Sequence, residues 1–140
     1  MNKCKLKKGN NNIKIIIKNK IKDLQRMFDS CNNLKNIEEL KYLNIKYCTN
    51  FSYMFCDCSS LNGVAPLKNW NVSNGTNFSW MFDCCSSLKD IIPIKNWNVS
   101  NCTDFIGIFG DCPSLNDITP IKNWNLDENT FRSMFDSIVE

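Results

Sequence analysis

An α/β fold of stacked repeats is what the sequence predicts. It would hold about four full units of 27 residues plus a partial C-terminal unit, each pairing an extended stretch with a short helix. Three observations lead there. The phrase NVSNGTNFSWMFDCCSSL at residues 71–88 returns 27 residues later as NVSNCTDFIGIFGDCPSL. Single-residue columns keep that register along the chain. Each unit also switches its hydrophobic period, from helical spacing to an irregular stretch containing proline. One such unit cannot bury its apolar side alone, so the recurrence points to copies stacked on one another.

The columns fix the unit. Phe28, Phe55, Phe82 and Phe109 follow at steps of 27, and Phe135 at a step of 26. Cys31, Cys58, Cys85 and Cys112 keep the interval, as do Leu34, Leu61, Leu88 and Leu115. Trp70, Trp97 and Trp124 form another column, and Lys14, Lys41, Lys68, Lys95 and Lys122 a further one.

The helix comes from Phe78, Met81, Phe82, Cys85 and Leu88, which fall at i, i+3, i+4, i+7 and i+10, one face of a helix of about three turns. Phe51, Met54, Phe55, Cys58 and Leu61 repeat the stripe one unit earlier. Ser73 or Thr76 lies upstream, where a hydroxyl can accept from a first-turn amide. Gly110 and Pro113 weaken the copy near Phe109. The stretch SLKDIIPIKNWNVS then reads as a strand or extended arc, because Leu88, Ile91 and Ile94 fit no helical stripe and Pro93 opposes one. The expected core is Phe28, Phe55, Phe82, Phe109, Met54, Met81, Leu61, Leu88 and Leu115, with the Cys and Trp columns. Residues 1–19 read as a basic N-terminal strand or capping segment and residues 20–140 as the repeat array, with no linker between them.

The net charge of +3 conceals an asymmetry, twelve Lys/Arg against four Asp/Glu in residues 1–46 and five against ten in the rest. Lys and Asn run high throughout, so the basic end reads as a solvated face, and nucleic-acid binding through Lys3–Lys22 is disfavoured. No stretch approaches the ~20 apolar residues of a membrane span. Ile15–Ile17 is too short for a leader core, and Cys4 has too little chain before it to be a lipidated Cys behind one. The chain as written reads as cytoplasmic, or as cell-surface or secreted if it is a fragment of a larger protein.

The phrase NWNVSNGTNFSWMFDCCSSL, with its W-N-V-S-N-x-T-x-F-S-x-M-F-x-x-C-x-S-L skeleton, resembles the BspA-type leucine-rich repeat surface proteins over about residues 20–140. The resemblance implies a leucine-rich-repeat-like solenoid, parallel strands on one side and helices on the other. It also implies a surface or secreted protein, some relatives being linked to adhesion or host-protein binding. Leu43 stands where the pattern has Trp, and the last unit departs at MFDSIVE before its Cys and Leu.

Chemistry finds little purchase. The chain has nine Cys and no His. The Cys column reads as small buried residues between neighbouring repeats, and its spacing and odd total do not suit a disulfide framework. A zinc reading would draw on Cys56-Asp57-Cys58 and Cys84-Cys85, which lack paired Cys or Cys-His spacing, so no metal and no cofactor are expected. Without His there is no ordinary activator for a Cys or Ser nucleophile. Glu38-Glu39 and Asp127-Glu128 are neighbours that do not converge, and no phosphate-cradling glycine cluster exists, so the chain reads as a non-enzyme. Six N-x-S/T triplets, starting at Asn50, Asn71, Asn74, Asn77, Asn98 and Asn101, are explained as turn formers. Asn44, Asn71, Asn98 and Asn125 are expected to form an inward ladder.

The Trp column reads as packing, roughly 2–3 kcal/mol for each ring buried. The Lys column must face solvent or meet an anion. Lys68, Lys95 and Lys122, with Asn69, Asn96 and Asn123, are therefore the partner-binding candidates. The expected function is a protein-interaction module whose partner's identity is not encoded, or alternatively a structural fragment with no ligand. Self-association through the incomplete last repeat is also expected, with Phe131, Met134, Phe135 and Ile138 poorly covered.

Overall fold

The computed structural model describes residues 20–137. The proposed capping segment at 1–19, Lys14, most of Lys3–Lys22 and Ile138 lie outside them. Successive 27-residue units lie on one another in register. Phe51 N–H donates to the Asn77 carbonyl (2.9 Å), Tyr53 to Ser79 (3.0 Å), Phe55 to Met81 (2.8 Å) and Asp57 to Asp83 (2.8 Å). Phe78, Trp80, Phe82 and Cys84 repeat the pattern onto Asp104, Ile106, Ile108 and Gly110.

The units are not built from strands and helices as the sequence suggested, and the expected leucine-rich-repeat-like solenoid is corrected. Among the described residues there is no strand and no sheet. Parallel pairing is confined to isolated bridges, Asp23–Asn50, Asn50–Asn77, Asn77–Asp104 and Gly63–Asp90. The stripe expected to be helical is a string of tight turns. Met81 N–H bonds the Phe78 carbonyl, Cys85 that of Phe82, and Leu88 that of Cys85. Every second amide between Phe78 and Cys84 leaves the unit for its neighbour, so no i to i−4 ladder can form. Trp80 (φ 58°) and Cys84 (φ 57°) adopt left-handed backbone that breaks a right-handed helix. Consecutive four-residue turns return Phe78, Met81, Phe82, Cys85 and Leu88 inward at the intervals a helix would use. The hydrophobic period is real, and its cause is different.

The stretch expected to be extended carries 3₁₀ turns instead, at Glu38–Tyr42, Ala65–Leu67, Ile92–Ile94 and Thr119–Trp124. Pro66, Pro93 and Pro120 sit in the first turns of the last three, where a missing N–H costs nothing and a fixed φ helps. Asp90 Oδ1 accepts from Ile92 N–H (2.8 Å) and Asp117 Oδ1 from Thr119 N–H (2.9 Å), each tying down a turn entry. The one α-helix among the described residues, α1 (Glu128–Ser133), lies in the last unit, where Asp127 Oδ1 caps Thr130 N–H. Below it Gly107 N–H reaches Ser133 in the regular register, whereas Phe109 N–H reaches Met134, one residue short of it, in keeping with the 26-residue step to Phe135. Met134 is fully buried, contrary to expectation, while Phe131 and Phe135 are half-buried.

The interior is made of stacked columns. Phe28–Phe55, Phe55–Phe82 and Phe82–Phe109 have ring centroids 5.5, 5.5 and 5.8 Å apart with planes within 13° of parallel. Trp70–Trp97 and Trp97–Trp124 stack at 6.5 and 6.3 Å. Met54, Met81, Cys31, Cys58, Cys85, Leu61 and Leu88 are buried between them as expected, whereas Cys112 and Leu115 are only half-buried near the end of the stack.

Candidate functional site

The face that carries the lysines is set by the turn that precedes them. Lys68 N–H returns to Ala65 and Trp70 N–H to Leu67, so Leu67 and Trp70 point inward while Lys68 and Asn69 point out. The same turn places Lys95 and Asn96 outside Ile94 and Trp97. Lys122 and Asn123 are exposed between buried Ile121 and Trp124. Each indole then locks its unit to the one before. Trp70 Nε1 donates to the Leu40 carbonyl (2.8 Å), Trp97 to Leu67 (3.0 Å) and Trp124 to Ile94 (3.2 Å). A buried indole needs such an acceptor, so this ladder was open to a sequence reading that asked where each N–H goes.

Lys41 pairs with Glu38 across a 3₁₀ turn. Among the described residues Lys68, Lys95 and Lys122 form no ion pair. Three ammonium groups and three amides thus share one wall, each set displaced from the next by a single repeat.

The Asn ladder lies elsewhere than expected. Asn71 and Asn98 are exposed, and their Oδ1 atoms accept locally from Ser73 and Ser100 (2.6 and 2.7 Å from the hydroxyls). Asn44 likewise accepts from Lys46 N–H, and exposed Asn125 takes left-handed backbone. Asn74 and Asn101 make the contacts between repeats, donating to the Lys46 and Ser73 carbonyls at 2.7 Å. Thr76 and Thr103 hydroxyls donate to Thr49 and Thr76 rather than accepting from a helix start.

The Cys column is a second ladder. Cys58, Cys85 and Cys112 thiols each reach a carbonyl of the preceding unit, those of Phe28, Phe55 and Phe82, at 3.1 Å. Burial pushes Cys112 and Cys56 up to about 12, and Cys48, Cys84 and Cys102 to about 11. Cys58 and Cys85 are driven up by the same cause. None of these is a thiolate at neutral pH, and thiolate is the reactive form.

On the outer wall, Arg26 lies 4.0 Å over the Tyr53 ring, Tyr53 stacks on Trp80 at 6.3 Å, and Trp80 lies against Gly107. All four residues have positive φ. Each ring face is covered by its neighbour, so this half-exposed aromatic row offers edges but no free platform.

No curated protein and no solved structure matches this chain. A family model described as "Mycoplasma protein of unknown function, DUF285" matches residues 2–116 and 91–140. The two matches overlap, as repeats in one register allow, and together they span nearly the whole sequence. The chain belongs to the DUF285 family.

Proposed function

We propose that this chain is a non-catalytic recognition module, related to the BspA-type surface repeat proteins, that meets a carboxylate-bearing partner protein through Lys68, Lys95 and Lys122 with Asn69, Asn96 and Asn123. The observation that carries this reading is the row of three lysines with no ion pair among the described residues, held on a wall fixed by the Trp ladder. Stacked cations repel one another, and an anionic partner relieves that repulsion. Raised thiol pKa values and the absence of His support a non-catalytic role.

The test is binding of the purified chain to immobilised extracellular-matrix proteins, comparing wild type with the triple variant Lys68→Glu/Lys95→Glu/Lys122→Glu. Saturable binding that weakens with salt and drops at least tenfold in the variant is expected, since each removed charge contact contributes up to about 1 kcal/mol. Equal binding by both proteins, or none by either, defeats the proposal. A second contact, between copies of the chain, is favoured by the half-buried Phe131 and Phe135 in the last unit. Light scattering across a concentration series would show a dimer, and a monomer throughout would remove it.

A further inference from the structure

Stacking at 27 residues brings together side chains that are distant in sequence. One column reads Asp29, Cys56, Asp83 and Gly110, and the next Ser30, Asp57, Cys84 and Asp111. Asp83 is only 1% exposed, and its Oδ1 has no hydrogen-bond partner. Its Oδ2 faces two thiols, Cys84 at 3.4 Å and Cys56 at 3.8 Å. The three ion pairs among the described residues lie elsewhere, so no Lys or Arg compensates it. A lone buried carboxylate is costly unless something cationic meets it. Gly110 leaves room beside it. A Cβ there would come 2.4 Å from the Asp136 carbonyl oxygen and 2.5 Å from Asp83 Oδ1, although Gly110 has no positive φ to require glycine.

Cys84 Sγ and one carboxylate oxygen each from Asp83 and Asp111 lie within 4.8 Å of one another. Cys84 and Asp111 border an open groove of about 640 Å³ whose lining includes Asp57 and Ser137, and Asp83 lies buried behind them. Around a tetrahedral ion with bonds of about 2.0–2.3 Å, ligands stand about 3.3–3.8 Å apart. The set must close by about an ångström, which exposed Asp111 and half-buried Cys84 can supply.

We propose that Asp83, Cys84 and Asp111 bind one zinc-like divalent cation, with water from the groove completing its coordination. Two carboxylates and one thiolate suit an ion of borderline softness better than magnesium or calcium, which take oxygen ligands. On binding, the Cys84 S–H bond breaks, sulfur bonds the metal and the proton leaves to solvent. The ion supplies the positive charge that Asp83 lacks.

The test uses the full chain, reduced and stripped with chelator, titrated with Cd²⁺ and Zn²⁺. About one Cd²⁺ per chain, with a near-ultraviolet thiolate-to-cadmium absorption, is expected. Cys84→Ser should abolish that band, Asp111→Asn should weaken binding at least tenfold, and Cys102→Ser, outside the group, should leave both unchanged. Circular dichroism checks that the variants fold, and Zn²⁺ should raise the melting temperature of wild type more than that of Asp111→Asn. No saturable binding near one ion per chain, a band that survives Cys84→Ser, or unaltered affinity in Asp111→Asn overturns the proposal.

Discussion

Replacing Phe82 by Ala removes the middle ring of the Phe column. The ring is fully buried, stacked 5.5 Å from Phe55 on one side and 5.8 Å from Phe109 on the other, with near-parallel planes. A buried Phe→Ala change costs about 3–5 kcal/mol through lost transfer energy and the cavity left behind. Two coaxial neighbours hold the walls of that cavity apart, and the Cys112 thiol is bonded to the Phe82 carbonyl (3.1 Å), so collapse is resisted and the upper half of the range applies. For a chain of this length each kcal/mol moves the melting temperature by about 3 °C, giving a drop of about 12–15 °C. Urea unfolding followed by tryptophan fluorescence suits the measurement, because Trp70, Trp97 and Trp124 are buried in the neighbouring column. Asn69→Ala, on the exposed wall, is the control and should fall within about 0.5 kcal/mol of wild type. Equal destabilisation by the two changes would refute the reasoning, since it would mean that the Phe column is not the shared interior.

Trp97→Phe leaves the Leu67 carbonyl without its indole partner and should cost about 1–3 kcal/mol in urea unfolding, more than the same change at half-exposed Trp80, whose ring has no hydrogen bond to lose there. Gly107→Ala should destabilise by at least about 1 kcal/mol and shift the Trp80 fluorescence, because the backbone is left-handed (φ 62°) and the new methyl falls within the indole ring; an unchanged spectrum and stability would contradict that packing. Asp127 is held below its ordinary value by bonds from the Thr130 hydroxyl (2.6 Å) and amide (3.0 Å). Its folded pKa lies below the unfolded one, so its contribution to α1 is present above about pH 4 and is lost as pH falls through the folded value. Asp127→Asn should flatten that dependence in a pH series of the Thr130 amide shift, and an identical acid profile in wild type and variant would count against the cap.

The register was legible in the sequence, and the backbone was not. Columns such as Phe55–Phe82–Phe109 and Trp70–Trp97–Trp124 pair in space as their spacing required. What carries that register was hidden by a coincidence of periods. A helix and a chain of four-residue turns both bring residues inward at i, i+3, i+4 and i+7, so Phe78, Met81, Phe82 and Cys85 fit either. The cues that could have separated them were faint. Gly107 occupies the column of Trp80, and left-handed backbone at non-glycine residues such as Trp80 and Cys84 leaves little mark in composition. Pro66, Pro93 and Pro120 argued against a long helix, but they are equally at home in the first turn of a short 3₁₀ segment. The lysine wall was readable because its exposure follows directly from the burial of its Trp neighbours. The Asp83 group was not, because its members come from two adjacent columns and two neighbouring units, and the usual search for paired Cys spacing passes over them.

The same geometry explains why the columns are so strict. A central unit contributes every second amide in its turn wall, an indole N–H, a thiol and one or two hydroxyls to carbonyls of an adjacent unit. A one-residue slip would leave this whole set unmatched and turn apolar side chains outward, so register is held by polar and apolar terms together. That coupling leaves the outward positions free to vary. Lys68 and Lys95 stand beside Trp70 and Trp97 without touching the ladder that fixes them. A scaffold that separates what must repeat from what can change is suited to recognition, because new surface chemistry can be written onto it without disturbing the stack.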